Sequence, residues 1–144
     1  TIMDPLMSVR ELSFLLTDVK RLLRREYLKS DLPITPMQAR ALVYVSRFEG
    51  LRQKALADIL EIQPITTARL IDQLSDEGLV ERRPDPTDRR AHCLYLTDQA
   101  QALLDDIGVV VEDVNRKAVA GLSADEIDQL LHLLKVMHSN LSQD

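Results

Sequence analysis

The stretch LVERRPDPTDRRAHCLYLT, residues 79–97, determines the fold we expect for this chain. Two short β-prone runs flank a segment rich in proline, aspartate and threonine, which is typical of a turn between two antiparallel strands. The turn ends in two consecutive arginines, Arg89 and Arg90. The pattern therefore predicts a two-stranded ribbon with a positively charged tip.

Two short helical patterns lie directly upstream of this ribbon. The first spans about residues 53–60, and the second begins at Pro64 and ends before Gly78. Only residues 61–63 separate them, a spacing that is typical of a helix-turn-helix. A helix-turn-helix followed by a ribbon with a cationic tip is how winged-helix proteins contact duplex DNA. The sequence therefore predicts a winged helix-turn-helix lobe over residues 35–97.

Helical patterns also occupy both ends of the chain. Apolar residues recur every three or four positions, which is the period of an amphipathic helix. Thr35 with Gln38, and Ser123 with Glu126, have the spacing of capping boxes at helix starts. We therefore expect a mainly α-helical fold with a small β-ribbon, built as a single domain over residues 1–144.

The terminal helices carry more apolar surface than one partner helix would cover. We expect residues 4–30 and 98–142 to form a helical dimerisation lobe, since symmetric dimers are the commonest oligomers. A monomeric bundle of the same helices is the alternative. Six leucines are predicted to lie in the dimer interface: Leu12, Leu16, Leu130, Leu131, Leu134 and Leu141.

Composition narrows the possible function classes. The net charge is −5, but residues 93–144 alone carry three basic and nine acidic residues, so the central lobe is close to neutral. Aromatic residues make up only 3% of the chain, which argues against base stacking on single strands. The chain shows no apolar run of membrane-span length and only one cysteine, Cys93, so we expect no membrane association and a cytoplasmic location.

Several short sequence motifs of this chain resemble those of the MarR family of bacterial transcription regulators. Residues 69–74, RLIDQL, with residues 78–82, GLVER, resemble its recognition helix and the entry to its first wing strand. Asp88-Arg89-Arg90 followed by residues 94–97, LYLT, resembles its wing, and residues 121–127, GLSADEI, resemble the SlyA-like branch. The resemblance covers nearly the whole chain. It implies a homodimer that binds a pseudopalindromic duplex, and a small aromatic or anionic effector in a pocket between the terminal helices and the central lobe.

Position in these motifs singles out candidate DNA contacts. Arg69, in the first turns of the recognition helix, can bond a guanine edge or a phosphate, and Thr66 and Thr67 precede it with hydroxyls for base edges or phosphates. Arg89 and Arg90 suit a narrow minor groove. Alternatively, the threonines only begin a helix, Arg69 pairs with Asp72 or Asp76, and the wing is a solvated turn.

Three other residues are predicted to assist DNA binding by the recognition helix and the wing. Gln53 and Lys54 begin the first short helix, where a phosphate would meet the positive helix end. The resemblance implies that Asp88 orients an arginine through an ion pair. No effector-binding residue is identified.

Other kinds of site find little support in the sequence. His92, His132 and His138 lack the spacing of metal ligands, and no phosphate loop or nucleophile motif is present. We therefore predict no enzyme activity, no metal and no cofactor. The predicted function is a sequence-specific, ligand-responsive repressor. The alternative is a winged-helix protein-interaction module that does not read DNA.

Overall fold

The computed structural model describes residues 4–143. These residues form six α-helices and one three-stranded antiparallel sheet. The elements follow in this order: α1 (Pro5–Tyr27), α2 (Pro36–Arg47), β1 (Leu51–Arg52), α3 (Gln53–Leu60), α4 (Pro64–Asp76), β2 (Val80–Pro84), β3 (His92–Leu96), α5 (Asp98–Ala118) and α6 (Ala124–Leu141). The predicted fold class, mainly helical with a small β-ribbon in a winged helix-turn-helix, is confirmed.

Capping groups fix where two of the helices begin. At α2 the Thr35 hydroxyl accepts the backbone N–H of Gln38 at 3.1 Å, while the Gln38 side chain accepts the N–H of Thr35 at 2.9 Å. Ser123 and Glu126 make the same reciprocal pair at α6. Each pair satisfies two donors that the first turn of a helix would otherwise leave unbonded. Both predicted capping boxes are therefore present.

Two tight turns, one before α4 and one after it, set the direction of this helix and connect it to the wing. Glu61 adopts a left-handed conformation with φ 56° between α3 and α4. At the far end, Gly78 has φ 73° and its N–H donates to the carbonyl of Ser75 at 2.9 Å. The N–H of Leu79 donates to the carbonyl of Leu74, also at 2.9 Å, which completes a Schellman motif. Helix α4 therefore ends abruptly, and β2 begins two residues after this glycine.

The sheet has one strand more than the sequence predicted. Its order is β1-β3-β2, and β1 pairs Leu51 with Leu94 and Arg52 with Cys93. A two-residue strand is too short to show the alternation by which strands are recognised. The extra strand ties the start of α3 to the centre of the wing. The prediction of a two-stranded ribbon is therefore corrected to a three-stranded sheet.

The hydrophobic core lies in the central lobe. Its largest fully buried side chains come from α2, α3, α4 and β3, so the helix-turn-helix and the wing share one core. They are Leu42, Leu56, Ile71, Leu74, Leu94, Val45 and Thr67.

The terminal helices differ from this lobe in burial. Helix α5 buries Ala100 and Ile107 against the core, whereas α1 and α6 bury no residue at all. Helix α1 packs along α5, and Lys117 pairs with Glu26 across them at 3.2 Å. The six leucines named above are all 37–82% exposed in the single chain.

Candidate DNA-binding surface

The exposed face of α4 presents the Arg69 side chain to solvent. Thr66 is also exposed on this helix, and Ile65 is 63% exposed. Asp72 does not pair with Arg69, and its Oδ1 lies 2.6 Å from Nη1 of Arg82. Within residues 4–143 no carboxylate lies within ion-pair distance of Arg69. The Arg69 fork is therefore available to an external acceptor.

Thr67 does not belong to this face. Its side chain is fully buried, and its hydroxyl donates to the carbonyl of Gln63 at 3.1 Å. A helix turns by about 100° per residue, so neighbouring threonines cannot both face outward on the same stripe. The sequence prediction of a DNA contact by Thr67 is wrong, and its role is to anchor α4 in the core.

Arg82 joins the wing to both helices of the helix-turn-helix. Its Nε donates to Gln53 Oε1 at 2.9 Å, and its Nη2 donates to the carbonyl of Ala68 at 3.0 Å. Its Nη1 lies 2.6 Å from Asp72 Oδ1. One guanidinium from β2 thus holds α3 and α4 in fixed positions relative to the strand. Its planar set of donors is what makes arginine suited to such a junction.

This junction changes the interpretation of Gln53. Its side chain is half-buried, and its carbonyl oxygen is occupied by Arg82. The bond from Arg82 orients the Gln53 amide and leaves its NH2 group as a donor, so Gln53 has a positioning role and its phosphate contact stays a prediction. Lys54, one residue further along α3, is exposed, and its phosphate contact stays a prediction.

The wing tip is an ordered turn that displays Arg89 and Arg90. Both arginines are exposed. The Asp88 carboxylate accepts the backbone N–H of Arg90 at 3.0 Å, and the N–H of Ala91 donates to the carbonyl of Asp88 at 3.0 Å. Asp88 therefore shapes the turn through backbone hydrogen bonds. The ion pair that the resemblance implied for Asp88 is absent from the described residues, and that expectation is corrected.

Asp85, which sequence reasoning missed, forms an ion pair at the wing instead. This carboxylate is buried and accepts the N–H and the hydroxyl of Thr87 at 2.8 and 2.7 Å. Arg52 of β1 donates to it at 2.8 Å. The two bonds from Thr87, together with Arg52, lower the pKa of Asp85 to about 2. The spacing Asp85-Pro86-Thr87 is an Asx-turn signal that could have identified this residue.

Cys93 lies against the same carboxylate. Its thiol is buried and donates to Asp85 Oδ2 at 3.6 Å. Burial, and next the negative charge of Asp85, raise the pKa of this thiol. Because the thiolate is the reactive form of cysteine, these surroundings keep Cys93 inert as a packing residue.

A cavity of about 730 Å³ lies where α1, α2 and α5 meet. This is the junction between the terminal helices and the central lobe, at which the sequence resemblance placed a pocket. Its walls include Tyr27 from α1, Val43 from α2 and Val111 from α5. Arg24 and Arg40 also line it. The cavity therefore combines an apolar interior with positive charge.

Residues 4–143 show neither a metal-binding cluster nor a membrane-spanning helix. No group of three or more histidine, cysteine, aspartate or glutamate residues is arranged to hold a metal ion there. None of the helices in that range has both the length and the apolar character needed to cross a bilayer.

Comparison with known proteins shows which family the chain resembles. A family model described as "MarR family" matches residues 32–91. Among solved structures, apo wild-type MarR from E. coli is 28% identical, with a TM-score of 0.72 and coverage of 95% of this chain and 98% of that one. A mutant form of E. coli MarR complexed with operator DNA is 27% identical, with a TM-score of 0.71 and coverage of 94% and 99%. The transcriptional regulator SlyA is 27% identical, with a TM-score of 0.66 and coverage of 93% of both chains.

The three structural matches span almost the whole chain and share its winged-helix architecture. The protein is a winged-helix DNA-binding transcription regulator, and not an enzyme. Its sequence is similar to the MarR family over residues 32–91, and its fold is similar to that of MarR over nearly the whole chain. Identity to SlyA is no higher than identity to MarR, so the SlyA-like branch stays a prediction.

Proposed function

We propose that the protein is a homodimeric repressor that binds a pseudopalindromic operator and is released from it by a small ligand. The observation that carries this proposal is the unpaired guanidinium of Arg69 on the exposed face of α4. In this arrangement α4 enters the major groove, where an arginine bonds the guanine edge bidentately. The protein acts in the cytoplasm, where its operator is accessible.

The wing adds a minor-groove contact to the major-groove contact of α4. Arg89 and Arg90 extend toward the adjacent minor groove, where a narrow groove concentrates negative potential. Lys54 and Thr66 bind phosphates beside α4, which positions the helix without reading sequence. The wing keeps its place because Arg82 ties β2 to α3 and α4.

The dimer follows from the burial of the terminal helices. The α6 side chains Leu130, Leu131 and Leu134 are 37–49% exposed, and Leu12 and Leu16 of α1 are each 42% exposed. An apolar stripe this long favours burial against a second copy, because each fully buried leucine contributes roughly 1.5–3 kcal/mol. Two copies place their α4 helices about one helical turn of DNA apart, as a pseudopalindromic operator requires.

Ligand response arises in the cavity between α1, α2 and α5. A ligand that prefers one separation of the two lobes shifts the spacing of the paired α4 helices. Such coupling is typically about 1–3 kcal/mol, or roughly 5–150-fold in operator affinity.

Selection of bound DNA from a random duplex library tests this function. We expect an inverted-repeat motif, and a gel shift on that motif should weaken steeply as salt rises from about 50 to 200 mM. Arg69→Gln should broaden the selected motif at one base pair in each half-site, whereas Arg25→Gln, on α1, should return the unchanged motif. Absence of selective duplex binding at low salt would contradict the proposal and favour a protein-interaction module.

A further inference from the structure

The chemistry of the cavity walls between α1, α2 and α5 defines a class of ligand. The interior is aliphatic, with Leu23 from α1, Val43 from α2, and Ile107, Val110 and Val111 from α5. Tyr27 is the one aromatic residue among the described residues that line it. Aromatic ligands gain specificity from offset or edge-to-face contacts with other rings, and a single tyrosine offers little of this. Aliphatic walls instead pack well against a flexible hydrocarbon chain.

Charge at the same cavity is of one sign. Lys20 and Arg24 lie four residues apart on one face of α1, and Arg40 lies on α2. No carboxylate is found among the described lining residues. Arg24 is exposed, whereas Arg40 is half-buried, with its guanidinium 5.8 Å from the centre of the Tyr44 ring. The cations therefore favour an anionic head group.

The cavity is large enough for a ligand longer than a single aromatic ring. Its volume of about 730 Å³ lies within the roughly 300–1,000 Å³ of pockets that bury most of a drug-sized ligand. We propose that the cavity binds an aliphatic carboxylate, an acyl anion whose chain lies along the α5 valines and whose head group meets Lys20, Arg24 and Arg40. The inference names the ligand of the proposed repressor, and so rests on that function for its regulatory consequence.

Calorimetry on the full chain without DNA tests the ligand class directly. The probes are octanoate, decanoate, decanol and benzoate at equal ionic strength. Each added methylene should tighten binding by up to about fourfold. Decanoate should therefore bind at least tenfold more tightly than benzoate, and more tightly than decanol, which lacks the charge. Tighter binding of benzoate, equal binding of decanol, or no binding of any probe would overturn the inference.

Variants test where the two ends of the ligand lie. Arg24→Gln and Arg40→Gln should each weaken decanoate about fivefold and leave decanol unchanged. Arg25→Gln is the matched control, since Arg25 is an exposed arginine of the same helix that does not line the cavity. Val110→Phe should shorten the cavity and shift the preferred chain from decanoate toward octanoate. An unchanged chain preference in a Val110→Phe protein with wild-type circular dichroism would place the chain elsewhere and overturn the inference.

Operator binding is measured separately, so the two proposals can fail separately. Decanoate should lower operator affinity at least fivefold in the gel shift. Tight decanoate binding without operator release would support the ligand class and contradict the ligand-responsive part of the proposed function. Failure to select any operator would contradict the proposed function and leave the calorimetric result standing.

Discussion

Replacement of Arg82 by methionine tests whether one guanidinium holds the DNA-binding lobe together. Methionine keeps an unbranched apolar stem, so the change removes the polar contacts with little loss of packing. The variant loses donors to Gln53 and to the carbonyl of Ala68, and the ion pair with Asp72. Arg83→Met is the matched control, because Arg83 is the next residue of the same strand and pairs with the exposed Glu81.

The expected free-energy change follows from the exposure of each contact. Hydrogen bonds to charged groups contribute about 1.5–3 kcal/mol when buried, and about 1 kcal/mol each is reasonable for Arg82, whose side chain is 24% exposed. The Asp72 side chain is 60% exposed, so its ion pair adds at most about 1 kcal/mol. Arg82→Met should therefore lower the free energy of unfolding by about 2–3 kcal/mol. Arg83→Met should lower it by about 1 kcal/mol, mainly through its contact 3.9 Å above the Tyr95 ring.

Urea denaturation at one fixed protomer concentration measures both variants, since the stability of a dimer depends on concentration. A gel shift on the selected operator should also show weaker binding by Arg82→Met with unchanged base preference, because Arg82 supports the wing and is not proposed to contact bases. Unfolding free energies of the two variants within about 0.5 kcal/mol of each other, with m-values unchanged, would refute the junction role.

Three further predictions concern base reading, assembly and acid stability. Arg69→Ala should cost about 1–3 kcal/mol of operator affinity and relax preference at one base pair, whereas Arg90→Ala should weaken all sequences alike; footprinting in which both match wild type would show that the contact surface lies elsewhere. Leu131→Ala should raise the dimer dissociation constant in analytical ultracentrifugation, and Val136→Ala, on the opposite face of α6, should not; a Leu131→Ala protein still dimeric at nanomolar concentration would move the interface. Because the pKa of Asp85 is lowered from 3.8 to about 2, its stabilising contribution is present above pH 3.8 and is lost as pH falls toward 2. The urea midpoints of wild type and Asp85→Asn should therefore converge over that interval, and a constant gap between them would contradict the role of this carboxylate.

Sequence patterns predicted the elements whose signals are local. The capping boxes beginning at Thr35 and Ser123, and the glycine stop at Gly78, fall where the structure has them. The helix-turn-helix and the wing follow from the same kind of signal, since turn residues and apolar periods act within a few positions. The helices and the two long strands of the central lobe were therefore predictable from the sequence, whereas β1 was not.

Contacts between residues far apart in the chain could not be predicted from these local sequence patterns. Arg52 and Asp85 are 33 positions apart, and their pairing depends on the register of a strand only two residues long. Thr97 occupies the N-cap position of α5, but its hydroxyl makes no cap bond and donates to the carbonyl of Gly78 at 2.5 Å. Thr66 and Thr67 look alike in sequence, and only the rotation of α4 against the core separates the exposed one from the buried one. Tertiary packing therefore decided which polar side chains support the site.

The lack of any buried residue in α1 and α6 has a consequence for the abundance of the protein in the cell. If the leucines of these helices are buried only by dimerisation, a newly made subunit exposes them to solvent until it binds a second subunit. Cellular proteases degrade such half-covered chains, so survival of the subunit rises with its own copy number. Lifetime and abundance would then be coupled, and a few molecules per cell would be cleared faster than many.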